Sequence, residues 1–309
     1  MGKVRLWAAS VDSREDMPVS KEALTRTADA YRKIRNTLRF LLSNLGDFEP
    51  GSDAVPTADL EPVDACFLRR GKALAKRIEA AYRDYEFHVA YRALNNFCAV
   101  DLSAVYLDVL KDRLYCSHPA SPRRRSAQTV LDRLARMLAT TMAPVLAFTS
   151  DEVWEHLPGA PGGSLHLETF EMLDDVADEP EADARFARLL ALRDEVNKEL
   201  EVHRQAGEFG KSLEAVLLLG GDLKALEADL ASARVTLEEL CIVSQAGAGD
   251  GTTSSAIYPG LSLGVRRAEG TPCPRCWQVW PAPAGHPQHP ELCARCLGVV
   301  LELAERPPR

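Results

Sequence analysis

The stretch VSKEALTRTADAYRKIRNTLRFLLSNL, residues 19–45, reads as one long amphipathic helix. Leu24, Ala28, Tyr31, Ile34, Leu38, Leu41 and Leu45 recur at steps of three and four, a single apolar stripe. Ser20 is placed to cap its start, and Gly46 suits a left-handed turn after its end. Arg32, Lys33, Arg35, Asn36 and Arg39 crowd into two turns between the apolar positions. From Lys21 to Arg39 six basic residues stand against two acids, Glu22 and Asp29, in a 309-residue chain whose formal net charge is −8. Such a face can grip phosphates, or it can be a solvated surface with some arginines in ion pairs. Both readings are open on this helix alone.

The same periodicity recurs to either side. Residues 2–10 hold Val4, Leu6 and Trp7, apolar side chains that need partners from the rest of a fold. Residues 46–62 are a loop rich in Pro, Asp and Gly. A second helical region is expected over 64–115 and a third from Ser121, with Pro122 in its first turn and Pro144 marking a kink or break. Thr149 or Ser150 is expected to cap the following DEVWEHL segment. Long helices joined by moderate loops make a bundle. SLHLETF at 164–170 is strand-like, and eight acids fall between Glu168 and Asp183, which reads as a linker. Phe186, Leu189, Leu192, Val196 and Leu200 then mark another amphipathic helix. Strands are expected at 213–219, 239–244 and 260–270, with a short helix at 222–230, giving a small α/β domain.

Composition describes an ordinary globular protein of two or three domains, with 46% hydrophobic and 27% charged residues. The acidic balance argues against indiscriminate coating of DNA but not against a local basic face, because screening makes nearby charge count most. There is no run of eighteen or more apolar residues and no signal-peptide pattern, so no membrane partner is expected. Cys66, Cys98, Cys116 and Cys241 are scattered, whereas Cys273, Cys276, Cys293 and Cys296 form C-x-x-C, sixteen residues, C-x-x-C. That spacing is a four-thiolate zinc pattern, with iron or disulfides as the alternatives. Four sulfurs leave no open position for water, so one structural Zn2+ is expected, supplying folding energy to a segment poor in apolar residues. Free thiols beside such a knuckle fit a reducing cytoplasm. Trp277 either packs over the hairpin or stacks on a base. Gly210-Lys211-Ser212 looks like the end of a phosphate-binding loop, but Gln205 stands where that motif needs Gly. His88 reads as a helix-packing histidine, and no catalytic constellation is legible anywhere.

Four blocks together resemble the bacterial isoleucyl-tRNA synthetase family, in order along nearly the whole chain. They are RLWAAS (5–10), YRKIRNTLRFLLSNL (31–45), YLDVLKDRLYC with RRSAQTVLDRLARMLATTMAPVLAFTSDEVWEHLP (106–158), and CPRCW with CARC (273–296). The resemblance implies a mainly α chain. Residues 1–19 would be the remnant of a connection from an absent catalytic domain, and 20–160 a class I anticodon-binding bundle. After them would come an acidic linker (161–184), a small α/β domain (185–270), a zinc module (271–299) and a tail (300–309). It implies tRNA-Ile as partner together with the catalytic and editing domains of the same enzyme, and a monomer. Arg32, Arg35, Asn36, Arg39, Arg92, Arg124, Arg125, Lys211, Ser212 and Trp277 are the expected RNA contacts. The family's two ATP signatures are absent here, so ATP would belong to a catalytic domain outside this chain, which is expected to be inactive alone. A free-standing RNA-binding protein and an interaction scaffold without nucleic acid are the competing readings.

Overall fold

The computed structural model describes residues 2–17, 19–159 and 162–305. Met1, the expected boundary at 160/161 and the Pro307–Pro308 end lie outside them. The chain divides into two compact units: Met1–Leu60, Asp64–Leu110 and Pro122–Asp178 form the first; Glu61–Val63, Lys111–Ser121 and Glu179–Arg309 form the second.

The first unit is built from helices α1 (Gly2–Ser10), α2 (Lys21–Ser43), the single turn α3 (Pro50–Asp53), α4 (Pro62–Arg83) from Asp64 on, α5 (Phe87–Asn96), α7 (Pro122–Met142) and α8 (Ala147–Glu155), with the first turn of α6 (Leu107–Cys116); from Lys111 on, α6 belongs to the second unit. Ser20 caps α2 through its hydroxyl, which accepts the Ala23 N–H at 3.1 Å. Ile34, Leu38, Leu41 and Leu45 are buried as their spacing requires, but Leu24 is exposed and Thr27 and Ala30 take its side of the helix inward. Those small side chains allow α1, whose Leu6 is buried, to lie close against α2. The helix ends on Asn44 with ordinary backbone angles, so Gly46 is not the left-handed stop that the sequence suggested.

The expected second helix is interrupted at Tyr85, which adopts φ +58° and separates α4 from α5. Phe97–Tyr106 then winds more widely, in a π-type spiral, and continues into α6. There Thr37 donates to the Cys98 carbonyl at 3.2 Å and meets Ser103 Oγ at 2.9 Å. The run Phe87–Cys116 is long and apolar enough to cross a membrane by length and composition, but half of its most apolar window is buried within the protein. Phe97, Cys98, Leu102 and Tyr106 are among the core residues it supplies. From Ser126 to Met142, α7 is buried on almost every side. Its polar groups are satisfied inside: the Gln128 amide donates to the Asn44 carbonyl at 2.9 Å, and Thr141 donates back to the Met137 carbonyl at 2.7 Å. Gly71 permits close approach of α4, since a Cβ there would stand 2.5 Å from Leu134 Cδ2. Pro144 lies in the break between α7 and α8, and α8 begins at Ala147. Thr149 and Ser150 are therefore buried inside α8 and do not cap it.

The acidic stretch read as a linker is, over 162–178, part of this unit. Leu165, Leu173 and Val176 are buried, Lys72 Nζ donates to the Val176 carbonyl at 2.6 Å and to Asp178 at 2.8 Å, and Arg133 pairs with Asp175. Three widely spaced apolar side chains among acids gave no periodic signal, and the basic groups that hold those acids lie far away in sequence. Leu165–Leu167 is a 3-10 turn, not a strand.

The second unit opens with α9 (Pro180–Gln205), which buries Phe186, Leu189, Leu192, Val196 and Leu200 as predicted. Among the described residues it carries a four-stranded sheet in the order β2–β1–β4–β3. β1 (Ala215–Gly221) pairs in parallel with β2 (Gln245–Ala248), and β3 (Thr253–Ser254) and β4 (Leu261–Arg267) complete the sheet, β4 antiparallel to both β1 and β3. Gly221, at φ +84°, ends β1 where a Cβ would lie 1.9 Å from the Gly260 carbonyl oxygen. α10 (Lys224–Ala233) and α11 (Leu237–Cys241) make the crossover from β1 to β2. The expected strand at 239–244 is displaced by α11, because Thr236 and Glu239 form a reciprocal capping box that starts a helix there. A hairpin of β5 (Thr271–Pro272) and β6 (Val279–Trp280) follows, then α12 (Ala294–Glu305), so residues 300–305 of the expected tail are helical.

Candidate metal centre and nucleic-acid interface

Cys273 and Cys276 sit at the tip of the β5–β6 hairpin, where the Trp277 N–H donates to the Cys273 carbonyl at 2.8 Å and Trp277 takes φ +63°. Cys293 stands at the entrance of α12 and Cys296 in its first turn. The Cys293 sulfur lies 3.5 Å from the Cys296 amide nitrogen, the position of a helix cap, where the dipole favours a thiolate. All four side chains are buried and free of disulfides, and their sulfurs all lie within 4.8 Å of one another. Burial raises the Cys273 thiol, but backbone N–H groups of Cys293, Cys276 and Arg275 outweigh it and bring the pKa down to about 6. Burial pushes Cys296 up to about 12, with the neighbouring thiolates adding to the rise. Four crowded sulfurs can all be anionic only around a cation, so the donor set can hold a metal ion.

Two arginines brace the cluster in a crossed arrangement. Arg275, from the first C-x-x-C, lies 3.7 Å from the sulfur of Cys296 in the second, and donates to the Cys116 carbonyl at 2.5 Å. Arg295, from the second, interacts with the sulfur of Cys276 in the first and forks onto Asp112 at 2.5 and 2.7 Å. Each guanidinium thus offsets thiolate charge and ties the knuckles to residues 112–116. Cys116 is buried against the cluster but is not a member of the four-sulfur set. Trp280, not Trp277, packs on the cluster. Trp277 is 64% exposed and carries Lys211 Nζ 5.3 Å above its ring centroid. Ser212, beside it in sequence, accepts from Arg204 at 3.1 Å. His286 and His289 stack on each other, outside the four-sulfur set.

On the first unit, Arg32 pairs with Asp29 at 2.8 Å and Arg35 with Glu152 at 2.7 Å, while Asn36 and Arg39 are exposed. Among the described residues Arg39 has no ion-pair partner. Arg35, Arg39, Ser43, Glu152 and His156 line a groove of about 470 Å³ between α2 and α8, so two of the five residues of the predicted basic face are brought together there. His156 was not foreseen: it sits one turn past Glu152, a spacing visible in the sequence but without meaning until α8 is laid beside α2. Arg92 lies on α5, in another groove.

Arg124 and Arg125 face inward. Arg124 is bidentate to Asp47 at 2.6 and 2.9 Å; Arg125 donates to the Asp47 carbonyl at 2.8 Å and reaches Asp53 at 3.4 Å. Their side chains are only 12% and 17% exposed, and they fasten the 44–53 turn onto α7. Burial raises the Asp47 carboxyl, but hydrogen bonds from Arg124 and Gln128 prevail and hold it below its ordinary range. A depressed folded-state pKa stabilises the fold above the unfolded value of about 3.9 and loses that contribution as pH falls through the folded value. The urea midpoint of the wild type should therefore fall more steeply than that of Asp47→Asn between pH 5 and pH 3. Parallel curves would remove Asp47 from the acid transition.

A family profile described as "Anticodon-binding domain of tRNA ligase" matches residues 64–219, half of the chain. Proteins called isoleucine–tRNA ligase match almost all of it. That of Symbiobacterium thermophilum is 45% identical over 312 residues, covering 97% of this chain and 33% of its own length. That of Geobacter sulfurreducens is 42% identical over 303 residues, covering 96% and 32%, and that of Moorella thermoacetica is 42% identical over 315 residues, covering 97% and 33%. The chain spans about a third of the length of these curated relatives. The profile match over half of the chain, from α4 through β1, makes this chain a member of the tRNA-ligase anticodon-binding domain family.

Proposed function

We propose that this chain is the tRNA-recognition portion of an isoleucine–tRNA ligase, the class I enzyme that joins isoleucine to tRNA-Ile using ATP. Its role is to bind and orient the anticodon arm, while the catalytic and editing domains of the same enzyme carry the chemistry. The observation that supports this best is the match of nearly the whole chain to one third of proteins of that name, combined with an arginine-lined groove in a chain of net charge −8. Arg32, Arg35, Asn36, Arg39 and Arg92 are the proposed contacts on the first unit, and Lys211, Ser212 and Trp277 on the second. Exposed arginines engage phosphates, and the exposed Trp277 ring offers a stacking surface for an unstacked base. Arg124 and Arg125, already tied to Asp47, contribute by fixing the turn at 44–53 more than by direct contact.

Cys273, Cys276, Cys293 and Cys296 are proposed to hold one structural Zn2+. Buried sulfur donors in a closed set suit tetrahedral zinc and exclude a water ligand, so the ion, when bound, would shape the knuckles and take no part in chemistry. A reducing cytoplasm is the compartment in which these thiols and the buried Cys98 and Cys241 persist. Burial lifts the latter two to about 12 and makes them unreactive.

The test is binding of the zinc-loaded chain to tRNA-Ile and to a tRNA-Ile with its anticodon replaced, each across a salt series. The native anticodon should bind more tightly at every salt concentration, and log affinity should fall linearly with log salt for both. No binding at low salt would refute RNA recognition by this chain; equal binding to both would move specificity to the rest of the enzyme.

A further inference from the structure

Most arginines of the first unit are already engaged. Arg14, Arg32, Arg35, Arg83, Arg124, Arg125, Arg133 and Arg136 all have acidic partners. Among the described residues, Arg77 and Arg92 are exposed and make neither an ion pair nor a hydrogen bond. They line the same groove, an open cleft of about 620 Å³ between α4 and α5. The arrangement follows from helical spacing. Arg70, Leu74 and Arg77 fall at i, i+4 and i+7 on α4, and Arg92 and Asn96 at i and i+4 on α5. Leu74, Ala93 and Phe97 make an apolar floor, and Arg77, Arg92 and Asn96 stand around it. Arg70 is held at one end by Asp101, at 2.8 Å, and by Phe67, whose ring centroid is 5.2 Å from the guanidinium carbon. Asp101 therefore neutralises Arg70 and leaves Arg77 and Arg92 as the uncompensated charge.

We infer that the α4–α5 groove is an RNA-backbone site, made of residues distinct from those of the α2–α8 groove, in which Arg77 and Arg92 hold successive phosphodiesters while a ribose or base rests on the apolar floor. This rests on the reading of the chain as tRNA-binding. Its donors are two guanidinium groups and an amide, which match phosphate oxygens. At about 620 Å³ the cleft is open and larger than one phosphate needs, which fits a strand. Such a contact positions the RNA and does not read its sequence.

The test uses the zinc-loaded 309-residue chain and compares wild type with R77Q/R92Q, R77K/R92K and R39Q. Both arginines are exposed and unpaired, so the variants should unfold at the wild-type temperature. R77Q/R92Q should weaken tRNA-Ile and the anticodon-replaced tRNA equally, and should lower the slope of log affinity against log salt by about 1.5, two contacts at roughly 0.7–0.9 each. R77K/R92K should keep most of that slope. An unchanged slope in R77Q/R92Q, with wild type and R39Q behaving as tRNA binders, overturns the groove and leaves the tRNA reading intact. Loss confined to the native anticodon overturns the backbone assignment in favour of base contact. Loss of binding to an acidic peptide, with RNA binding unchanged, assigns the groove to a protein partner and likewise overturns it. Failure of the wild type itself to bind RNA overturns both readings.

Discussion

Stripping the zinc-loaded chain of its metal, or replacing Cys276 by Ser, should unfold residues 271–305 while the helices of the first unit remain folded. The reason is the composition of that segment's core. Its buried residues are the four cysteines, Leu292 and Val279, which meet Cys116, Val216 and Ala268 from outside the segment and are helped by partly buried Trp280, Leu297 and Val300. Two or three such side chains contribute a few kcal/mol of burial, at about 25 cal/mol per Å². A structural zinc ion in a small peptide contributes roughly 10–16 kcal/mol. The metal term dominates, and without it Arg275 and Arg295 lose the thiolate charge they offset. Chelation should release one equivalent of zinc per chain. It should change the fluorescence of Trp277 and Trp280, and amide exchange should quicken across 271–305 and at Tyr115–Cys116, whose carbonyls accept from Arg275. Acid should act like a chelator, because protons compete for sulfur, so metal affinity should fall as pH is lowered. Amide protection over 271–305 that is identical with and without metal would show that the knuckles fold by packing alone.

The four-cysteine centre was legible because its ligands are fixed by spacing within two short hairpins, and the pattern requires no knowledge of the rest of the chain. The α2 stripe was legible at Ile34, Leu38 and Leu41 for the same local reason. What sequence could not supply was context. Six basic residues on α2 look alike, but Glu152 on α8 engages Arg35, Asp29 engages Arg32, and among the described residues Arg39 is left without an ion-pair partner. Arg124 and Arg125 read as surface charge until Asp47 and Asp53 are brought to them from 72 to 78 residues away. Arg77 has no distinguishing neighbour in the chain, and only the approach of α5 gives it a partner in Arg92. The misplaced strand at 239–244 was avoidable, since Thr236 and Glu239 stand at capping-box spacing. The buried stretch at 162–178 was not, because its few apolar residues follow no period.

Replacing Asp64 by Ala should be the most damaging single change in the first unit. Asp64 lies in the first turn of α4 and is wholly buried. Tyr106 Oη donates to one carboxyl oxygen at 2.9 Å and Ser126 Oγ to the other at 2.6 Å. One carboxyl group therefore joins α4 to the π-type turn and to the first turns of α7, while the Tyr106 ring stacks on Phe67 with centroids 4.4 Å apart. Truncation leaves two buried hydroxyls without their acceptor and opens a small cavity. At about 1–3 kcal/mol for each unsatisfied group, Asp64→Ala should cost about 3–5 kcal/mol, a large share of the roughly 5–15 kcal/mol that holds a domain together. Asp64→Asn keeps the volume and one acceptor oxygen, and the hydroxyl facing its amide can rotate to accept, so about 1–2 kcal/mol is expected. Tyr106→Phe removes a single donor and should cost about 1 kcal/mol. Combined with Asp64→Ala it should cost less than the sum, because the orphaned hydroxyl is gone. Urea denaturation of the four variants measures these differences. If Asp64→Ala unfolds at the wild-type midpoint with an unchanged slope, the buried carboxyl is not what fastens α4, the π-type turn and α7 together.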